Sequence, residues 1–222
     1  MYQISELTNN RLTLKSVCWA KPRLFFSFYY KVADNAFRNA ATTWTKDVKQ
    51  QENFSAQEGD FFFEQEIQSE TDFKTAWNQL YSKAVEGSFQ VWAGHLLTHA
   101  SKQTNDNDGL EFQPGMGNDG TLKQVEISNL KKLPWSEYGY LLLTGCNTGL
   151  IGARGWAPAK TFALNQGVLT LGQAGYGYFS TNWSSYNEIG ASDTNICLWA
   201  YRRGKNGAFG SGVRMPSIMY KF

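Results

Sequence analysis

Apolar positions along this chain switch between two periods. Residues 24–30, Leu-Phe-Phe-Ser-Phe-Tyr-Tyr, form a short aromatic run between Pro22 and Asp34 and predict a buried strand. Over 34–51, Phe37, Ala40, Ala41 and Trp44 recur at three-to-four spacing, which predicts a helix with Asp34 as its cap. Residues 60–67 read as a second strand. A helix carrying Phe73, Ala76, Trp77, Leu80, Tyr81 and Ala84 follows, capped by Ser69 or Thr71 and stopped at Gly87. Residues 89–97 predict a third strand. The polar, glycine- and asparagine-rich 98–120 reads as a loop with a small hairpin around Leu110, Glu111 and Phe112.

Further along, Val125-Glu126-Ile127 reads as strand-like, with a short helix after it. Residues 138–144, Tyr-Gly-Tyr-Leu-Leu-Leu-Thr, make the strongest core strand and end at Gly145-Cys146. Residues 156–165 predict a helix with Pro158 in its first turn, and 167–172 a fifth strand. Residues 176–186 read as a loop, 195–201 as a sixth strand candidate that could also be helical, and 204–222 as glycine-rich and then strand-like. Strands alternating with helices predict an α/β fold with a largely parallel sheet and helices on both faces. No repeat or linker interrupts the chain, so 1–222 reads as one domain.

Composition narrows the function classes. With 21 basic and 19 acidic residues, net charge +2, the chain lacks the imbalance expected of a nucleic-acid or anionic-membrane binder. The longest apolar run, 24–30, is too short to span a bilayer, and residues 1–15 show no signal-peptide pattern. Three widely spaced cysteines, Cys18, Cys146 and Cys197, make a poor disulfide framework. The expected setting is cytoplasmic, or export without a cleaved signal.

Ligands of parallel sheets bind beyond the carboxyl ends of the strands, and the candidate chemistry gathers there. Cys146 sits just past a buried strand in the turn Thr-Gly-Cys-Asn-Thr-Gly, where Gly145 and Gly149 permit a tight exit. His99 follows the preceding strand. A thiol with a neighbouring imidazole and converging backbone N–H groups is what acyl transfer through sulfur requires. On residue type alone, a cysteine after an apolar strand is as readily a small buried hydrophobe, and a histidine at a strand end a hydrogen-bonded structural residue. His95 and His99, the two histidines, have the spacing of a helical metal pair, but Leu96 stands where zinc hydrolases carry Glu. With Cys146 they could supply three ligands, so a metal site stays open as an alternative.

Residues 95–101, His-Leu-Leu-Thr-His-Ala-Ser, resemble the His-Leu-Ala-Thr-His-Gly segment of the CHAT family, caspase-like cysteine peptidases of the clan (clan CD) that holds caspases, separase and gingipains. Residues 141–150, Leu-Leu-Leu-Thr-Gly-Cys-Asn-Thr-Gly-Leu, resemble that family's Leu-Ser-Ala-Cys-Glu-Thr-Gly segment. Between them, 108–112 and 127–130 match its hairpin and short helix in style, and 159–168 its helix-then-strand element. The resemblance covers roughly residues 85–175.

It implies a caspase-like three-layer sandwich around a mostly parallel sheet of about six strands. It also implies a cysteine endopeptidase acting on a protein or peptide substrate, without a metal or other cofactor. His99 would be the general base and Cys146 the nucleophile, with the backbone N–H groups of Ala100 and Cys146 as the oxyanion hole. The primary pocket would follow the fifth strand, at Ser180, Thr181, Asn182 and Trp183. Asp106, Asp108 and Asp119 would favour a basic substrate residue, although they are also ordinary turn formers. The chain departs from the family pattern at Ala100, where the clan carries Gly, at Asn147, where an acidic residue is common, and from 175 onwards. Those departures support a second expectation, a caspase-fold binding or scaffolding module without activity. A lone domain of this size also suits a delivered effector or toxin; the sequence names no inhibitor or immunity protein for it.

Overall fold

The computed structural model describes residues 2–8, 11–16, 21–31, 35–101, 108–112, 120–180, 197–201, 213–214 and 217–221. β1 (Tyr2–Thr8) and β2 (Arg11–Ser16) form a separate antiparallel pair. Then come β3 (Arg23–Tyr30), α1 (Ala36–Gln51), β4 (Phe61–Ile67), α2 (Glu70–Glu86) and β5 (Gln90–Leu97). β6 (His99–Ala100), β7 (Gly109–Glu111) and β8 (Thr121–Lys123) make a small antiparallel sheet that leads into α3 (Gln124–Ser128). β9 (Trp135–Leu143), α4 (Pro158–Gln166) and β10 (Leu169–Gln173) follow. β11 (Tyr176–Ser180), β12 (Cys197–Tyr201) and β13 (Val213–Arg214) form a third small sheet, and β14 (Ser217–Tyr220) closes the described order.

The central sheet has six strands in the order β14-β10-β9-β5-β3-β4, all parallel except β14. Side-chain alternation sends the aromatic run of β3 to two cores. Phe26 and Phe28 pack on Trp77 of α2 at ring separations of 5.9 and 6.5 Å, and Phe162 of α4 joins Trp77 at 5.8 Å. Phe25 faces the other way, clustering with Val48 of α1 and with Trp92 and Ala93 of β5. Helices therefore cover both faces of the sheet. This is an α/β arrangement compatible with a three-layer sandwich.

Local chemistry accounts for the element ends. The Ser69 hydroxyl accepts from the Asp72 N–H at 3.1 Å, and α2 ends at Gly87. Pro158 opens α4, and Gly167 closes it in the left-handed region at φ 63°.

Several expectations are corrected. Asn35, at φ 58° and without a side-chain cap bond, starts α1; Asp34 lies outside the described residues. Val125-Glu126-Ile127 is helix: the strand is Thr121–Lys123, and Glu126 caps α3 by accepting the Lys123 N–H at 2.8 Å. Within 98–120, His99–Ala100 is itself a strand. Residues 176–180 are strand, where a loop is predicted. Residues 197–201 are strand as well, but they belong to the small third sheet, and β14 takes the sixth place in the central one.

Two charge clusters, one buried and one partly exposed, hold the scaffold. Arg23 and Asp60 are 7% and 5% exposed and pair at 2.5 and 3.0 Å, while Arg23 also caps the carbonyls of Glu52 and Asn53 at 2.9 and 3.1 Å. Asp60→Ala leaves a buried guanidinium uncompensated, and urea unfolding is expected to show a loss of about 3–5 kcal/mol. Lys74 bridges Glu70 of α2 to Glu126 of α3. Burial, then hydrogen bonding with Glu126, pushes the Glu70 carboxyl up from its ordinary 4.5 to about 7. The folded protein thus holds a proton that the unfolded chain releases, so this contribution to stability is present below about pH 4.5 and is lost as pH rises towards 7. Glu70→Gln is expected to flatten that part of the urea-midpoint profile.

Candidate active site

β5 and β9 are parallel neighbours, and the Thr144 N–H donates to the Leu96 carbonyl at 2.8 Å. Both strands therefore leave the sheet at the same level. β5 runs on into His99 and β9 into Gly145-Cys146. At Gly145 the two exits nearly touch: an added Cβ would lie 2.8 Å from the Thr98 carbonyl oxygen and 3.4 Å from the Ala100 Cβ. The close approach that the glycine permits sets the cysteine turn against the segment that carries His99 and Ala100.

The turn is held from several sides. The Thr148 hydroxyl donates to the Gly145 carbonyl at 2.9 Å and accepts from the Gln173 N–H at 3.0 Å. Asn147 sits in the left-handed region at φ 58°, and its N–H donates to Gly175 O at 2.7 Å. Gly149 N–H donates to Gln173 O at 2.9 Å, and the Tyr220 hydroxyl of β14 donates to Gly149 O at 2.6 Å. Asn147 is thus a conformational residue, one of the types that tolerate positive φ.

The Cys146 sulfur is half-buried. It accepts the Gly177 N–H of β11 at 3.4 Å and lies 3.9 Å from the Gly177 carbonyl oxygen. Burial raises its pKa, and the Glu111 charge raises it further, against the lowering effect of the Gly177 N–H. The resting group at neutral pH is the thiol, whereas the nucleophilic form of cysteine is the thiolate.

His99 is half-buried, with its ring 4.8 Å from Phe37 of α1 and 5.7 Å from Tyr30 of β3. In the β6–β7 pair it stands directly opposite Glu111, so the two side chains share one face. The Glu111 carboxylate, whose field reaches the Cys146 thiol, is therefore a neighbour of both. Sequence reasoning missed this role. Its signal is the alternation Leu110 in, Glu111 out, Phe112 in, once β6 is recognised as a strand.

His95 is a different kind of residue. It is 2% exposed, its Nε2 lies 2.8 Å from Thr144 Oγ1 and its Nδ1 3.5 Å from Ser27 Oγ, and Trp44 covers it at 4.8 Å. Burial lowers its pKa to about 3. With its ring nitrogens facing two hydroxyls inside the sheet, it is a structural tie between β3, β5 and β9. Among the described residues, no group of three or more His, Cys, Asp and Glu side chains gathers to hold a metal.

The other sequence-derived residues are placed unevenly. Ala100 is buried beside Gly145. Asp108 precedes β7, three residues before Glu111, and is half-buried. Ser180 ends β11 and is fully buried. Thr181, Asn182, Trp183, Asp106 and Asp119 lie outside the described residues. No described helix is long and apolar enough to cross a membrane. Neither a protein-family model nor a curated protein matches the chain.

The contrast between the histidines is directly measurable. Long-range ¹H–¹⁵N spectra are expected to show His95 as a neutral imidazole at pH 5. The unfolded chain protonates this residue near pH 6.5 and the fold does not until about 3, so its contribution to stability is present above 6.5 and lost as pH falls through that window.

Proposed function

We propose that this protein is a cysteine endopeptidase of the caspase-like, CHAT type, working through His99 and Cys146. The observation that carries the reading is the meeting of two adjacent strand exits at Gly145, with the thiol turn on one and the His99-Ala100 segment on the other. The six-stranded, mostly parallel sheet with helices on both faces supports it, as do the matching segments around both residues.

The chemistry follows from the thiol's protonated resting state. As the sulfur attacks a peptide carbonyl, His99 takes the thiol proton, and the backbone N–H groups of Ala100 and Cys146 stabilise the oxyanion. The C–N bond breaks, His99 gives its proton to the departing amine, and the acyl group stays on Cys146 as a thioester. Water then attacks, with His99 accepting its proton. The C–S bond breaks, and the thiol and a carboxylic acid are released. The Glu111 carboxylate, opposite His99, favours the imidazolium formed in both halves. The reaction draws on no cofactor.

A scaffolding role is the second reading, favoured by Ala100 and by the Gly177 main chain that occupies the sulfur. A peptidyl acyloxymethyl ketone separates the two. It should label Cys146 in the wild type and not in His99→Ala, whereas iodoacetamide labelling is expected to be slow at neutral pH. Cleavage of a mixed peptide library, read by mass spectrometry, should fall by about 10³-fold or more in Cys146→Ala and by about 10²–10⁴-fold in His99→Ala. Undiminished cleavage in Cys146→Ala would sink the peptidase reading.

A further inference from the structure

Gln173 ends β10 beside the cysteine turn. Its main chain is fully engaged there: its N–H donates to the Thr148 hydroxyl at 3.0 Å, and its carbonyl accepts from Gly149 at 2.9 Å. Its side chain is not. The residue is 1% exposed, and neither Oε1 nor Nε2 has a hydrogen-bond partner among the described residues. Buried polar groups are almost always paired, so a buried carboxamide idle at both ends asks for an explanation.

Gln173 stands at the carboxyl end of β10, bonded through its main chain to the turn that carries Cys146. An added Cβ at Gly172 would meet Gly149 at 2.6 Å and Ala159 of α4 at 2.7 Å, so Gly172 faces α4. Alternation sends Gln173 to the opposite face, that of α1. On that face Phe179 of β11 packs on Phe37 at 5.5 Å, and Gly177 of the same strand sits on the Cys146 sulfur. The chain from 173 to 177 therefore wraps the thiol turn. A peptide seated on the sulfur in place of Gly177 would lie along that segment, of which Gln173 is the first residue.

Resting on the peptidase reading of this site, we propose that Gln173 is its specificity-determining residue and recognises the side-chain carboxamide of a glutamine or asparagine in the peptide. A carboxamide pairs with both idle atoms at once: Gln173 Nε2 donates to the peptide oxygen, and the peptide NH₂ donates to Gln173 Oε1. A carboxylate would use Nε2 alone and bring a negative charge towards Glu111. An ammonium would use Oε1 alone, and an apolar side chain neither. Sites built to hydrogen-bond a polar group discriminate strongly against analogues that lack it.

The test is binding to Cys146→Ala, which cannot turn peptides over. Isothermal titration would compare peptides identical except for one residue, set to Gln, Asn, Glu, Lys or norleucine. The Gln or Asn peptide is expected to bind about 10-fold or more tighter than the Glu and norleucine peptides. Adding Gln173→Met, which keeps the shape and removes the idle polar atoms, should bring those affinities level while leaving the melting temperature unchanged or raised. Adding Gln173→Glu should move the preference to Lys. Equal affinity for all five peptides, no binding of any, a preference that survives Gln173→Met, or a Gln173 amide paired only with an ordered water would each overturn the proposal. Cleavage by the wild type is read separately. A carboxamide preference without Cys146-dependent cleavage supports the recognition and removes the peptidase.

Discussion

The hydrogen bond from Thr144 to Leu96 fixes the register of β9 against β5, and the candidate site depends on that register. Because a strand advances about 3.3 Å per residue, a one-residue slip would carry the cysteine turn past the His99 segment and turn every side chain of β9 to the wrong face. The His95 tie to Thr144, buried under Trp44, guards the same register from the side-chain level. Of the two histidines, His95 is thus part of the frame that positions the segment carrying His99. A neutral ring suits that task, since a charge inside the sheet would have to be solvated or expelled.

The electrostatics of the cysteine turn differ from those of a preformed thiolate site. No described cation shifts the Cys146 pKa, and burial together with Glu111 keeps the proton on sulfur. A resting thiol is the weaker nucleophile and also the less easily oxidised or alkylated one. On the proposed peptidase reading, reactivity arises when a bound carbonyl and a base meet at the sulfur, which ties chemistry to substrate occupancy.

Much of the scaffold was legible in the sequence because it rests on short-range rules. The aromatic run of β3, the Ser69 cap, Gly87 and Pro158 each act within a few residues, and they mark elements close to where those elements lie. What escaped depends on distant pairing. Val125-Glu126-Ile127 has strand-like residue types, but Glu126 folds back on the Lys123 N–H and its tie to Lys74 draws the segment against α2. His99–Ala100 is strand only because β7 returns to pair with it. β14, which fills the sixth place in the sheet, is a short segment whose partners in β10 lie 44 to 50 residues earlier in the chain. The candidate pair, His99 and Cys146, was readable as two strand ends. Glu111 and Gln173 were not, since the first acquires meaning from a register and the second from what fails to touch it.

The Tyr220 hydroxyl bond to Gly149 has a consequence in time. The two residues are 71 positions apart, so a chain emerging from the ribosome completes the thiol turn long before the tyrosine that pins it. Until β14 docks on β10, the turn lacks both that bond and the antiparallel strand beside it. The cysteine corner therefore gains its last tie only when the far end of the chain has been made.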